Sequence, residues 1–303
     1  MINLNFNGKE FRYNKSDKFI HTKGGIFYQN RYLTKNSLNT FLSKVSNYKI
    51  YNGSYCYIKK SDHKIALSVD CVRSMPIFYT KLRNKILISD SANWLESKIA
   101  KTTYDLISKI ELWLSGFVIG NKTIHPQIKQ IPAGNILYID LKNDNKFNLV
   151  KEFEYSSNVV KDISFDSLLK QHEFCFSNCI NRLIARAKGR TIVIPLSSGL
   201  DSRLLALQLK LNNYKNVICF SYGKLNNSAS IKSKRTAKKL GFKWLFVEYN
   251  RSLWRKTYNS ELFNDYFFSA DNLSSLPHIQ DWISLNFLKA NKLIPNDSIL
   301  VPG

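Results

Sequence analysis

Residues 191–210 (TIVIPLSSGLDSRLLALQLK) place three serines, a glycine and an aspartate within six positions, between a β-branched run and a leucine-rich run. Ser197, Ser198 and Ser202 offer hydroxyl donors, and Gly199 admits a close backbone approach. The run 191–195 predicts a buried strand. Residues 202–210, with Leu204, Leu205, Leu207 and Leu209, predict a helix. A small-residue turn that feeds a helix aims unsatisfied N–H groups and the positive dipole end at the turn, an arrangement suited to polyphosphate. The same residues also describe an ordinary serine-rich helix start, with Asp201 capping the first turn. The spacing matches neither G-x-x-x-x-G-K-[ST] nor G-x-G-x-x-G.

The elements that must position this loop follow in sequence. Residues 216–222 (NVICFSY) predict a second strand, 230–240 a basic helix and 243–249 (KWLFVEY) a third strand. This βαβαβ order predicts a parallel sheet, in which ligands sit outside the carboxyl ends of the strands. Upstream, a long helix is predicted over 164–188, capped by Ser164 and ended by Gly189. Its apolar stripe comprises Leu168, Leu169, Phe174, Phe176, Ile180, Leu183 and Ile184. Cys175 and Cys179, at i and i+4 on that helix, are expected to pack in the core. The polar stretch 155–163 reads as a linker, which places domains at 1–155 and 156–303.

The loop P-L-S-S-G-L-D-S resembles the pyrophosphate-binding loop S-G-G-x-D-S of ATP pyrophosphatases, in the form found in asparagine synthetase-like proteins. That resemblance implies ATP and Mg²⁺ as cofactors. It implies that Leu196, Ser197, Ser198, Gly199 and Ser202 hold nucleotide phosphates and that Asp201 meets the metal. Tyr222, before Gly223 at the end of the second strand, would line the adenine pocket. The chain departs at Ser198, where the family loop has glycine, a substitution that crowds the phosphate if φ is positive there. Residues 271–282 and 297–303 resemble the tail of the same group, where a strand enters an acidic glycine-rich loop at Gly303. The acidic part of that loop does not follow here, so a truncated or never-completed site is expected.

The first half resembles the glutamine amidotransferase-type domain of asparagine synthetases. The similarity rests on Asn52-Gly53-Ser54-Tyr55, on 65–70 with Arg73-Ser74-Met75-Pro76-Ile77-Phe78-Tyr79, and on 117–123 with Ile131-Pro132-Ala133-Gly134. The implied fold is an α+β sheet sandwich followed by an α/β parallel-sheet ATP pyrophosphatase domain. A working domain of this type carries a cysteine after Met1 as thiolate nucleophile. Ile2 stands there, and Cys56, Cys71, Cys175, Cys179 and Cys219 lie too far along the chain, so glutaminase activity is not expected. The resemblance therefore implies an amide-forming ligase that activates a small-molecule carboxylate as an acyl-adenylate, with release of pyrophosphate. An amine, or ammonia from another source, would complete the reaction. The alternative is a catalytically incomplete nucleotide-binding protein or gene fragment of that family.

Composition narrows the class. With 303 residues, 44% of them hydrophobic, the chain can bury two ordinary cores. No uncharged apolar stretch reaches the roughly 18 residues that span a bilayer, and the start lacks a signal-peptide core, so a cytoplasmic protein is expected. The odd cysteine count without C-x-x-C disfavours a disulfide framework and a zinc site. The formal net charge of +23 invites nucleic acid, but the lysines are scattered singly and no RNP, zinc-finger or helix-turn-helix signature is present, so that reading is set aside. The dense run 232–239 is expected to be a solvated helix face with Ile231, Ala237 and Leu240 inward. His21, His63 and His125 read as surface residues, and His278 alone has a case for a site rim.

Overall fold

The computed structural model describes residues 2–13, 17–28, 30–33, 37, 51–83, 85–156 and 163–302. The chain divides into two compact units, Met1–Val159 with Asp265–Pro277, and Val160–Asn264 with His278–Gly303. A single boundary near residue 155 does not describe this division, because Asp265–Pro277 returns to the first unit. Residues 271–282 are thereby split between the two.

In the first unit, β1 (Ile2–Phe6), β2 (Lys9–Tyr13), β3 (Phe19–Tyr28), β4 (Arg31–Tyr32), β5 (Tyr51–Lys60), β6 (Lys64–Val69), β7 (Phe78–Leu82) and β8 (Lys85–Ser89) come first. They are followed by α1 (Ala92–Glu96), α2 (Leu106–Ser115), β9 (Lys129–Gln130), β10 (Asn135–Asp140) and β11 (Lys146–Lys151). One sheet runs β2-β1-β8-β7-β9 and the other β11-β10-β6-β5-β3-β4. Pairing is antiparallel except for β1 beside β8. Period-two alternation drives the packing. Ile2, Leu4 and Phe6 of β1 and Ile86 and Ile88 of β8 meet Ile58 of β5, Ile65 and Leu67 of β6, and Leu137 and Ile139 of β10 in one core between the sheets. The intervening Phe78 and Leu87 point the other way, against Ala92 and Leu95 of α1 and Leu273.

The turn after β6 is stapled by Asp70, 3% exposed, whose carboxylate accepts N–H bonds from Tyr55 (2.9 Å), Val72 (3.0 Å) and Ser74 (3.1 Å). His125, expected at the surface, is 2% exposed, and its Nδ1 accepts from the Gln127 N–H at 3.2 Å. The Thr123 hydroxyl folds that turn inward by donating to the carbonyls of His125 and Ile128. Helix α2 is turned inside out: Ser108 is buried, while Ile107, Ile110, Trp113 and Leu114 are exposed.

The second unit contains α3 (Phe165–Ala187), β12 (Ile192–Pro195), α4 (Leu200–Leu211), β13 (Val217–Gly223), α5 (Ser228–Leu240), β14 (Lys243–Glu248), α6 (Arg251–Tyr258), the first turn of α7 (Glu261–Asp271), α8 (Ile279–Ala290) and β15 (Ile299–Leu300). Its four strands are all parallel, in the order β14-β13-β12-β15. Side chains of α3, α4 and α5 cover one face through Ile180, Leu205, Leu209 and Ala237. Leu253 of α6, and Leu285 and Leu288 of α8, cover the other.

Ser164 caps α3 as expected, accepting from the Ser167 N–H at 3.3 Å. Its stripe, however, is buried only from Phe176 onward. Phe165, Leu168, Leu169 and Phe174 are exposed, and Cys175 and Cys179 are exposed rather than in the core. The left-handed turn that ends α3 begins at Lys188 (φ 50°), one residue before Gly189. On α5 the inward positions are Ser230, Ser233 and Ala237, and Ile231 lies outside at 41% exposure. Among the described residues, no helix is long and apolar enough to cross a membrane.

Gly53, with Gly24 on the paired strand, carries one of the two tightest constraints on the first unit. It adopts φ 116°, and a Cβ there would lie 2.2 Å from the Gly25 carbonyl oxygen on the paired strand. Gly199, with φ −70° and only the Ser197 Oγ near at 3.1 Å, has no such conflict. Gly53→Ala should therefore cost about 2 kcal/mol or more of stability, and Gly199→Ala under about 1 kcal/mol. Urea unfolding of both variants beside the parent checks this difference.

Candidate functional site

β12 reaches its carboxyl end at Pro195, with β13 on one side and β15 on the other. The chain leaves β12 toward β13 through α4, and β15 joins from the opposite side. The strand order therefore reverses at the end of β12, the topological switch point where parallel sheets leave a crevice. Residues 197–202 occupy that position. Leu196, 1% exposed, anchors the loop to β13: its N–H donates to the Phe220 carbonyl at 2.7 Å and its carbonyl accepts from Ser221 Oγ at 2.7 Å. The Trp244 Nε1–H donates to the same Ser221 hydroxyl at 3.1 Å.

Within the loop, the three hydroxyls are not equivalent. Ser202 is 3% exposed, and its Oγ accepts from the Ser197 N–H at 3.1 Å and bonds the Ser197 Oγ at 3.0 Å. Ser197 Oγ in turn accepts from the Gly199 N–H at 3.0 Å. Two of the serines expected to face a ligand are thus engaged with the loop itself. Ser198 is not at positive φ, so its side chain strains nothing in this conformation. The crowding expected from replacing glycine at that position is absent.

Gly199 is the N-cap of α4 and no side chain caps the helix, whereas Ser164, Asn227 and Asn250 cap α3, α5 and α6. The first N–H groups of α4 therefore keep their capacity for an outside acceptor. Asp201 is exposed in the first turn and does not cap it. Sequence reasoning missed Arg203, whose Nε–H donates to the Gly199 carbonyl at 2.8 Å and fixes a guanidinium beside the loop. Its i, i+4 spacing from Gly199 was the available signal. Among the described residues, no three His, Cys, Asp or Glu side chains gather as a metal set. A Mg²⁺ ion here would take Asp201 as its carboxylate and complete its shell with phosphate oxygens and water, as this cation does with nucleotides.

Tyr222, at the end of β13, is half-buried and stacks on Tyr249 with ring centroids 4.8 Å apart and planes 13° apart. Its hydroxyl donates to Asp281 Oδ1 at 2.6 Å, and His278 Nδ1 lies 3.7 Å from Asp281 Oδ2. Burial first, and then the bond to Asp281, hold the Tyr222 hydroxyl well above the usual phenol range. Gly303, the remaining expected site residue, lies outside the described residues. The strand leading to it is present as β15, with Ile299 and Leu300 opposite Ile192 and Val193.

No family model matches the chain, and no curated protein matches it. Among solved structures, an NH3-dependent NAD synthetase from Campylobacter jejuni is similar at 18% identity and a TM-score of 0.30, covering 43% of this chain and 54% of that one. A glutamine phosphoribosylpyrophosphate amidotransferase from B. subtilis is similar at 10% identity and a TM-score of 0.28, covering 81% and 51%. An allosteric regulatory enzyme of purine biosynthesis gives 9% identity and a TM-score of 0.29, with 80% and 50% covered. The chain spans about half the length of these structures.

The Tyr222–Asp281 bond has a pH signature. A phenol whose pKa is raised on folding contributes stability that is full below its unfolded value of 10.0 and is lost as pH rises above it. The parent should therefore lose stability more steeply between pH 9 and 11 than Tyr222→Phe, an interval of about one unit either side of the ordinary phenol pKa. Urea unfolding across that interval reads the slopes, and equal slopes would contradict the assignment.

Proposed function

We propose that the second unit binds ATP at the end of β12 and serves an ATP pyrophosphatase-type, amide-forming ligase. The observation that carries the reading is the uncapped start of α4 at the switch point of a four-stranded parallel sheet. In this reading Leu196, Ser197, Ser198, Gly199 and Ser202 cradle the departing pyrophosphate, Asp201 meets Mg²⁺, and Tyr222 lines the adenine side. A substrate carboxylate oxygen attacks the α-phosphorus, the bond to the bridging oxygen of the β-phosphate breaks, and pyrophosphate leaves. An amine nitrogen, or ammonia, then attacks the acyl carbon, loses its proton to solvent and expels AMP. The helix N-terminus and Arg203 both favour negative charge where pyrophosphate accumulates.

In the same reading the first unit is an amidotransferase-type sandwich. Its two-sheet core takes in Ile2 at 1% exposure. Cys56 is the buried thiol of that core, and burial pushes it up to about 12, far from a thiolate at neutral pH. Ammonia would come from elsewhere, or the amine would be part of the substrate.

A second reading, a nucleotide-binding protein without catalysis, is favoured by one feature. The Ser197 and Gly199 N–H groups are already held by loop hydroxyls, so phosphate would have to displace them.

Asp201→Asn keeps the shape and removes the charge. On the ATP reading Mg-ATP affinity should fall about tenfold or more, the equivalent of ~1.4 kcal/mol, with thermal stability unchanged. Calorimetric titration of parent and variant checks this. Separation of nucleotide products distinguishes the two readings, since the ligase forms AMP and pyrophosphate, the binding protein forms neither, and ADP as sole product would remove the pyrophosphatase assignment.

A further inference from the structure

The first unit holds a cavity of about 950 Å³ that plays no part in the nucleotide reading. Its lining includes Lys81, Arg83, Lys85 and Lys129 and no carboxylate, with Tyr79 and Phe147 as aromatic wall. The two rings meet edge to face at 5.3 Å. Lys81 is neutralised by Asp144, at 3.1 Å. Arg83 and Lys129 form no salt bridge among the described residues, so two unneutralised cations line one concavity, whereas Lys85, paired with Leu82, lies on the opposite face of the sheet from Tyr79 and Lys129. The two cations raise the local potential for anions, and low-dielectric walls sharpen it.

Arg83 also adopts a left-handed backbone. Leu82 pairs with Lys85, so β7 and β8 are joined by a two-residue hairpin connection, and Arg83 is its first residue at φ 46°. Such turns favour Asn, Asp or Gly at that position, because left-handed backbone disfavours longer side chains. An arginine placed there breaks a local rule, and such breaks concentrate where a side chain serves binding.

We propose that this cavity binds an aromatic phosphate monoester, with the phosphate between Arg83 and Lys129 and the ring against Phe147 and Tyr79. A cavity of this size suits a small ligand of mixed character. Arginine and lysine ammonium groups together match a dianionic phosphate, and the aromatic wall matches a planar ring. The proposal stands apart from the ATP reading, which concerns the other unit.

The test uses the full chain and 1-naphthyl phosphate in EDTA at low salt, followed by titration calorimetry. Saturable binding is expected in the parent, at least tenfold weaker in Arg83→Asn and in Lys129→Gln. Arg83→Asn should at the same time raise the melting temperature, by about 2 °C, because asparagine tolerates the left-handed turn. A change that weakens binding while stabilising the fold is not one that lost structure would produce. Hydrogen exchange should show ligand protection at β7 and β8. Absence of saturable binding in the parent, parent-like affinity in Arg83→Asn, or protection confined to the second unit would each overturn the proposal.

Discussion

The architecture of the second unit hangs on β12. Only four residues long, it is hydrogen-bonded in parallel on both edges, and Ile192, Val193 and Ile194 are each at most 1% exposed. A strand buried on both faces and both edges has one direction in which its polar chain can emerge. It does so at Leu196, pinned by Phe220 and Ser221 of the neighbouring strand. Everything proposed for the loop follows from that pin: the turn is placed at the reversal of strand order, and α4 begins with its N–H groups pointing back at it.

The contact between Ser197 and Ser202 gives the loop a resting shape. It satisfies two donors internally at distances near 3.0 Å, and each such bond contributes on the order of 1 kcal/mol net. A phosphate group accepting from the same donors in charge-assisted geometry can outweigh this. These internal bonds are weak enough to exchange. In the first unit the equivalent constraints are steric and electrostatic at once, in the Gly53 approach to Gly25 and the three N–H bonds accepted by Asp70, and neither leaves room for exchange.

Much of this was legible in the residues. The β-branched run before Ser197, the leucines after it and the strands near 216–222 and 243–249 fix the local elements, because their periods differ and each is bounded by polar or glycine-containing turns. Ser164 marked the start of α3 for the same reason. Tertiary facts escaped. The apolar stripe of α3 has helical period along its whole length, yet the sheet covers only the half beginning at Phe176; Cys175 precedes that half, and Cys179 lies within it but off the packed stripe, so both are exposed. Hydropathy places Ile231 inward, whereas the buried positions of α5 are Ser230, Ser233 and Ala237. His125 is buried because Thr123 folds its turn inward, a hydrogen-bond effect with no periodic trace. The return of Asp265–Pro277 to the first unit depends on long-range pairing, such as the Val118 N–H to the Ser274 carbonyl at 2.8 Å. Arg203 was hidden because a charged residue on a helix face usually reads as solvated.

The account rests on the claim that the loop after β12 exchanges its internal bonds for phosphate oxygens. The most direct measurement is the amide spectrum of ¹⁵N-labelled protein titrated with magnesium pyrophosphate. The account predicts that the Gly199 amide shifts downfield and gains exchange protection, together with Ser198 and Leu200, as its partner changes from the Ser197 hydroxyl to a charged oxygen. A saturating response that leaves the Gly199 amide in place, with changes confined to lysine-rich surfaces elsewhere, would contradict it.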